Sequence, residues 1–143
     1  MSVVGPDDMA RCMEGFKAPT ELILDGIRFS PVRVVGVEEY QQLRTLSLCE
    51  SVLENYEWIA RATYLAKLDL SATRVKEEDL VGLCRLLFYL ETLLLRSCKH
   101  LSTSLSFLLP LHQMRSVSIS NFSLLRNNCI ALLRERGVLC DVS

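Results

Sequence analysis

The sequence predicts an α/β fold, a solenoid of about five strand–helix units with a parallel concave sheet and helices on the convex side. Two observations predict it. A short apolar pattern, Leu-x-x-Leu-x-Leu, recurs along the chain, and a second set of apolar positions recurs at helical spacing between its copies. A period of roughly 20 to 50 residues is typical of stacked units, each of which covers the apolar edge of its neighbour.

The strands are predicted by the six-residue pattern itself. Copies begin at Leu43, Leu65, Leu90 and Met114, and an earlier copy begins at Pro19, where Pro replaces the first Leu. In chain order the five starts lie 24, 22, 25 and 24 residues apart. Because side chains alternate along a strand, the second and third apolar positions of each copy face the core and the residues beside them face outward.

Helices are predicted between the copies. Of the positions seven, six and three residues before each start, fourteen of fifteen are apolar, the exception being Gly36. Such spacings form one apolar stripe on a helix. The clearest helix lies in "KEEDLVGLCRLLFY", which carries acids in its first turn, whereas Pro110 predicts a short or 3₁₀-like connection in the fourth unit. The inner face of the clearest helix is expected to comprise Leu80, Leu83, Cys84 and Leu87.

The chain is expected to form one domain over residues 1–143. Residues 7–18 are predicted to form an N-terminal capping helix, 19–136 the stacked units and 137–143 a C-terminal edge strand. Terminal units need such caps because they must hide an apolar edge.

The register of the last strand follows from its alternation. In "GVLCDVS", the residues Val138, Cys140 and Val142 fall on one face. Starting the pattern near Arg136, as the helix spacing would suggest, turns Asp141 inward. Burying an unpaired carboxylate is costly, so the alternation is preferred.

The four Leu-x-x-Leu-x-Leu-like copies resemble those of leucine-rich repeat proteins, over roughly residues 8–142. The cysteine-containing and ribonuclease-inhibitor-like subtypes, whose convex side is helical, are the most similar. In the family the pattern continues x-x-Asn/Cys-x-Leu; here Cys98 is the family-like residue, and Ser51, Thr73 and Phe122 stand at that position in other units. The resemblance implies a non-catalytic role in protein binding.

Composition limits the cellular setting and the class of partner. Half of the 143 residues are hydrophobic and the net charge is −1, which favours neither disorder nor nucleic-acid binding. No apolar run approaches the roughly 20 residues of a membrane helix. The opening residues lack the pattern of a signal or transit peptide, so a cytoplasmic location is expected, with a nuclear one open and no membrane partner.

Candidate catalytic and metal-binding residues are few. The six cysteines never form Cys-x-x-Cys, and Cys98-x-His100 has no second pair to complete a zinc site. The paired acids Asp7–Asp8 and Glu77–Asp79 lie at predicted helix starts, where the helix dipole explains them. The two histidines, His100 and His112, are expected to be solvated or capping residues. We therefore expect no enzymatic activity, cofactor, metal or small-molecule substrate.

The concave face is the predicted binding surface. Its outward positions form a grid of small hydroxyl-bearing residues with larger side chains at the third and fourth strands. Leu94 lies between core residues and so must face outward, either as an interface anchor or as an ordinary exposed leucine. Arg96 is expected to offer its planar guanidinium to a partner's carboxylate. The predicted protein-binding residues are Lys67, Asp69, Thr92, Leu94, Arg96, Ser71 and Thr45.

The leading functional hypothesis is a protein-binding subunit or adaptor of a larger complex. One alternative is a ribonucleoprotein component that contacts both protein and RNA. Another is a substrate receptor of a ubiquitin ligase, which the cysteine-containing subtype suggests. This alternative is weakened because no recognisable F-box segment precedes the units. RNA contacts weaken steeply with salt and an apolar protein interface does not, so salt separates the first two.

Overall fold

The computed structural model describes residues 2–4, 20–29, 41–101, 105–120 and 127–142. Within them the chain is α/β, with a six-stranded, wholly parallel sheet. The predicted α/β class and parallel sheet are confirmed. The capping helix predicted at residues 7–18 lies outside the described residues, as do Gly36 and Phe122.

Nine strands lie in the described ranges, and each is short. They are β1 Ser2–Val4, β2 Glu21–Ile23, β3 Ile27–Phe29, β4 Thr45–Ser47, β5 Val52–Leu53, β6 Lys67–Asp69, β7 Thr92–Leu95, β8 Ser116–Ile119 and β9 Leu139–Val142. The main sheet has the order β2–β4–β6–β7–β8–β9, and β1–β3–β5 form a second parallel sheet. The sequence pattern did not predict the second sheet, because two or three residues are too few to show a period.

The register of the main sheet aligns the predicted core positions. Pairing places Leu46 beside Leu68, Leu68 beside Leu93, and Leu93 beside Val117. All four of these side chains are buried, and so is the start of each described copy of the pattern. The buried starts are Leu43, Leu65, Leu90 and Met114.

Two α-helices and two short 3₁₀ helices lie wholly within the described ranges, so not every connection between strands forms an α-helix. The α-helices are α1 Glu77–Leu86 and α2 Asn128–Glu135; the 3₁₀ helices span Glu57–Arg61 and Ser106–Leu108. The unit with the first 3₁₀ helix has 22 residues and the α1 unit has 25. Pro110, which cannot donate a backbone hydrogen bond, follows the second, as predicted.

The apolar stripe predicted for these connections is nevertheless buried throughout the described units. Whether a connection forms an α-helix or a 3₁₀ helix, the side chains at its three predicted positions pack into one hydrophobic core that it shares with the sheet. These positions are Trp58, Ile59, Ala62, Leu83, Cys84, Leu87, Phe107, Leu108 and Leu111. The apolar spacing therefore predicts which side chains are buried more reliably than it predicts the type of helix.

One left-handed turn recurs after the strands. The residue two positions after the third apolar position has φ between 57° and 67° in four units, at Gly26, Glu50, Ala72 and Ser97. The backbone N–H groups of the first three residues donate hydrogen bonds to the next unit along the chain. Their acceptors are the carbonyls of Cys49, Ser71 and Arg96, at 2.7–2.9 Å. These bonds extend the parallel hydrogen-bonding ladder beyond the strands.

The position that the pattern assigns to Asn or Cys is hydrogen-bonded in three units. The Ser51 hydroxyl donates to the Leu24 carbonyl at 2.6 Å, and the Thr73 hydroxyl donates to the Leu70 carbonyl at 2.6 Å. The Cys98 thiol donates to the same Leu70 carbonyl at 3.1 Å. Ser51 and Thr73 are buried, so these bonds satisfy polar groups that would otherwise be costly inside the core.

The alternation predicted for the last strand is confirmed. Cys140 pairs with the buried Val117, and Val138 is buried. Asp141 is exposed, so a pattern start at Arg136 is wrong. Among the described strands, β9 lies at one edge of the main sheet.

Candidate binding surface on the open face of the sheet

The open face is the side of the main sheet that points away from the core, and it corresponds to the predicted concave grid. Strand pairing aligns two columns across β2, β4, β6, β7, β8 and β9. The first column is Glu21, Thr45, Lys67, Thr92, Ser116 and Leu139, and the second is Ile23, Ser47, Asp69, Leu94, Ser118 and Asp141. Neighbouring strands lie about 4.8 Å apart, so adjacent members of a column are within side-chain reach.

A depression of about 650 Å³ lies on this face. Of the predicted binding residues, it is lined by Asp69, Ser71, Leu94 and Arg96. The other three lie on the same face outside it, and they are Thr45, Lys67 and Thr92. The remaining lining includes Leu139 and Asp141 of β9, so the depression extends further toward the last strand than the sequence predicted.

Arg96 is already engaged within the chain. Its Nη2 forms an ion pair with Asp141 Oδ2, and its Nε donates to the Ser118 hydroxyl at 2.6 Å. The small side chain of Ser118 lets the guanidinium cross β8 to reach β9. The sequence predicted that Arg96 offers its planar guanidinium to a partner's carboxylate, and in the structure two of its nitrogens are already bonded within the chain. Both partners are about half exposed, so the pair contributes at most about 1 kcal/mol.

Carboxylates predominate on the open face and its rim. Asp25 Oδ1 accepts hydrogen bonds from the Ser47 hydroxyl at 2.5 Å and from the Cys49 amide at 3.0 Å. Asp69 Oδ1 accepts from the Ser71 amide at 2.9 Å. Among the described residues of the two columns and the depression, together with Asp25, there are five acids and two bases, Lys67 and Arg96. The acids are Glu21, Asp25, Glu50, Asp69 and Asp141.

Cys49 lies among these acids and is a poor nucleophile. Burial raises the pKa of its thiol, and the charges of Asp69, Asp25 and Glu50 raise that pKa further. Since the thiolate is the reactive form, the site holds a protonated thiol at neutral pH.

Two leucines also line the depression. Leu94 on β7 is half-buried, and Leu139 on β9 is 75% exposed. The sequence prediction named Leu94 and missed Leu139, although the alternation that turns Val138 and Cys140 inward also turns Leu139 outward. Two leucines that flank a polar depression resemble the anchors of a protein interface.

A second cluster lies at the other end of the strands. Tyr64 and Tyr89 each precede a pattern start, and their rings lie 5.3 Å apart. The Arg44 guanidinium lies over the Tyr64 ring at 5.2 Å from its centroid. The sequence analysis did not predict this cluster, because these residues meet only when β4, β6 and β7 pair.

The remaining candidate residues have ordinary surroundings. His100 and His112 are exposed. Asp79 accepts from the Lys76 amide at 3.0 Å and so caps the start of α1, as the helix-start interpretation requires. Asp7 and Asp8 lie outside the described residues. Within the described ranges, His, Cys, Asp and Glu do not gather in groups of three or more that could hold a metal ion.

No helix in the described ranges has the length and apolarity needed to cross a membrane. No family model matches the chain. No curated protein matches it either.

Proposed function

We propose that the chain is a non-catalytic protein-binding module of the leucine-rich repeat type, acting as a subunit or adaptor of a larger complex in the cytoplasm or nucleus. It binds its partner through the open face. The observation that carries the proposal is the pair Leu94 and Leu139, two outward leucines around an acid-rich depression on paired strands.

The recurring backbone geometry supports the stacked-unit part of the proposal. Four units share a left-handed turn at the same position, and three share a buried, hydrogen-bonded polar residue after it. One short strand per unit extends the parallel sheet. A solenoid is the architecture in which each unit meets its neighbours through such repeated contacts.

The charges favour a partner segment that carries basic and apolar side chains together. Arg96 is paired with Asp141, so Asp69 and Glu50 are the remaining charged residues among those that line the depression. Lys or Arg of a partner would complement them, and an adjacent apolar side chain would cover Leu94 and Leu139. The strands hold these residues in place, which lowers the entropic cost of binding.

Differential capture tests this proposal. The wild-type chain, the open-face variant Leu94→Ser/Leu139→Ser and the control Leu132→Ser are immobilised, and proteins retained from native lysate are quantified. Leu132 is an exposed leucine on α2, so the control makes the same chemical change on the helical side. We expect at least one protein to be retained tenfold less by the open-face variant, about 1.4 kcal/mol, and unchanged by the control.

The same experiment separates the ribonucleoprotein alternative. Tyr64, Tyr89 and Arg44 form an array on which unpaired bases could stack. RNA held there would be released steeply as salt rises and would be lost on Tyr64→Ala/Tyr89→Ala. Retention that resists salt and depends on Leu94 and Leu139 favours the protein-binding proposal; the reverse pattern overturns it.

A further inference from the structure

A groove on the helical side of the molecule has features of a second binding site. It runs between the 3₁₀ helix Glu57–Arg61 and α1, and its volume is about 210 Å³. Sites for drug-sized molecules have volumes of roughly 300–1,000 Å³, so this groove has room for one or two side chains of a protein partner. It is separate from the open face, and the proposed function does not use it.

The floor of the groove is apolar. Tyr56 and Leu83 are buried there, and Ala60 lies half-buried beside them. Leu86 forms part of the lining and is 52% exposed. A large exposed apolar side chain in the lining of an apolar groove is typical of a surface that a partner covers.

The charged side chains of the groove are all acidic. Glu57 lies on the 3₁₀ helix, and Glu78 and Asp79 lie in the first turn of α1. No Lys or Arg occurs among the described residues that line it. This rim would attract a cationic segment and repel an anionic one.

Gly82 keeps the groove open. It lies in the middle of α1, where glycine weakens a helix relative to alanine. A Cβ at this position would meet no atom within 4 Å, so packing inside the chain does not require glycine. Any longer side chain would project into the space that a partner's side chain would fill.

We propose that this groove binds a cationic amphipathic helix of another protein, with an apolar side chain over Ala60 and Gly82 and Lys or Arg beside Glu57 and Glu78. The acidic rim and apolar floor complement the two faces of such a helix. Leu86 would cover the next turn of its apolar face.

A designed peptide pair tests the proposal directly. The first peptide contains Leu and Lys in helical order over about four turns, and the second has Glu in place of every Lys. Each is titrated into the full chain while the amide resonances of Ala60 and Gly82 are followed by NMR. We expect saturable shifts at both residues with the Leu/Lys peptide and none with the Leu/Glu peptide.

Two variants show whether the groove itself is the site. Gly82→Gln fills it, and Glu57→Gln/Glu78→Gln removes charge from two exposed positions without filling it. Each variant should lower the affinity for the Leu/Lys peptide at least tenfold. Gly82→Ala is the matched control: it should raise the melting temperature, because alanine favours the helix, and leave peptide binding within about threefold of wild type.

Three outcomes would overturn the proposal. Equal binding of both peptides would show that charge complementarity has no part. Peptide binding that is unchanged in both groove variants would place the peptide outside the groove. Peptide binding that is lost only in Leu94→Ser/Leu139→Ser would place it on the open face. A dimer of the chain that Gly82→Gln dissociates would mean that a second copy occupies the groove.

Discussion

Replacing Leu93 by Ala is expected to lower the free energy of unfolding by about 2–5 kcal/mol. Leu93 is fully buried in β7 and pairs with Leu68 on one side and Val117 on the other. Truncation removes its apolar contacts and leaves a cavity that neighbouring strands on both sides cannot collapse to fill. Urea unfolding monitored by circular dichroism measures the loss.

Leu94→Ala is the matched control, since Leu94 follows Leu93 directly and faces the opposite side of the sheet. Because the Leu94 side chain is only partly buried, its truncation should lower the free energy of unfolding by less than about 1 kcal/mol. Equal losses for the two variants, or a larger loss for Leu94→Ala, would mean that the assigned faces of β7 are reversed.

The Cys84 thiol is expected to resist alkylation strongly in the folded chain. Burial raises its pKa from 9.0 to about 12, so its thiolate population at neutral pH falls about a thousandfold. Mass spectrometry after iodoacetamide treatment at pH 8 should find Cys84 unmodified in native protein and modified in urea. Partly exposed Cys49 should label before Cys84, although nearby acids slow it as well. Native labelling of Cys84 at the rate seen in urea would show that α1 does not bury its predicted face.

The same pKa shift predicts a pH dependence of stability. Because the folded pKa of Cys84 lies above the unfolded value of 9.0, the stability it supports is fully present below pH 9. As pH rises from 9 toward 12, the unfolded chain loses this proton first. Stability should then fall by up to about 1.4 kcal/mol per pH unit from this group.

Most of the core and the strand register could be predicted from the sequence. The pattern starts, the inward positions of β6 and β7 and the stripe on α1 recur at fixed spacing, and burial follows that spacing directly. The columns of the open face follow as well, because a parallel register aligns equivalent positions of successive units. Even the last strand, which departs from the Leu-x-x-Leu-x-Leu pattern, could be aligned, since an inward Asp141 would be too costly.

Helix type was harder to predict than burial. A 3₁₀ turn and an α-helix can present similarly spaced apolar positions, so the apolar spacing does not decide which one forms. The length of the connection does not decide it either. Nineteen residues separate β4 from β6 and include a 3₁₀ helix, and nineteen separate β8 from β9 and include α2.

Side-chain contacts between residues far apart in the chain could not be predicted from the sequence. Arg96 and Asp141 are 45 positions apart, and their contact depends on Ser118 being small enough for the guanidinium to pass. The cluster of Arg44, Tyr64 and Tyr89 likewise depends on the pairing of β4, β6 and β7. The prediction that Arg96 offers its guanidinium to a partner's carboxylate did not include this ion pair within the chain.

Side-chain footprinting of the wild-type chain, with and without a partner isolated by the differential capture, tests the central proposal most directly. Hydroxyl radicals modify exposed leucines, and mass spectrometry compares the rates at Leu139, Leu94 and Leu132 within one sample. If the open face is the binding surface, modification of Leu139 and Leu94 should fall severalfold on adding partner, while Leu132 on α2 keeps its rate. Protection of Leu132 with no change at Leu139 would contradict the proposal and place the partner on the helical side.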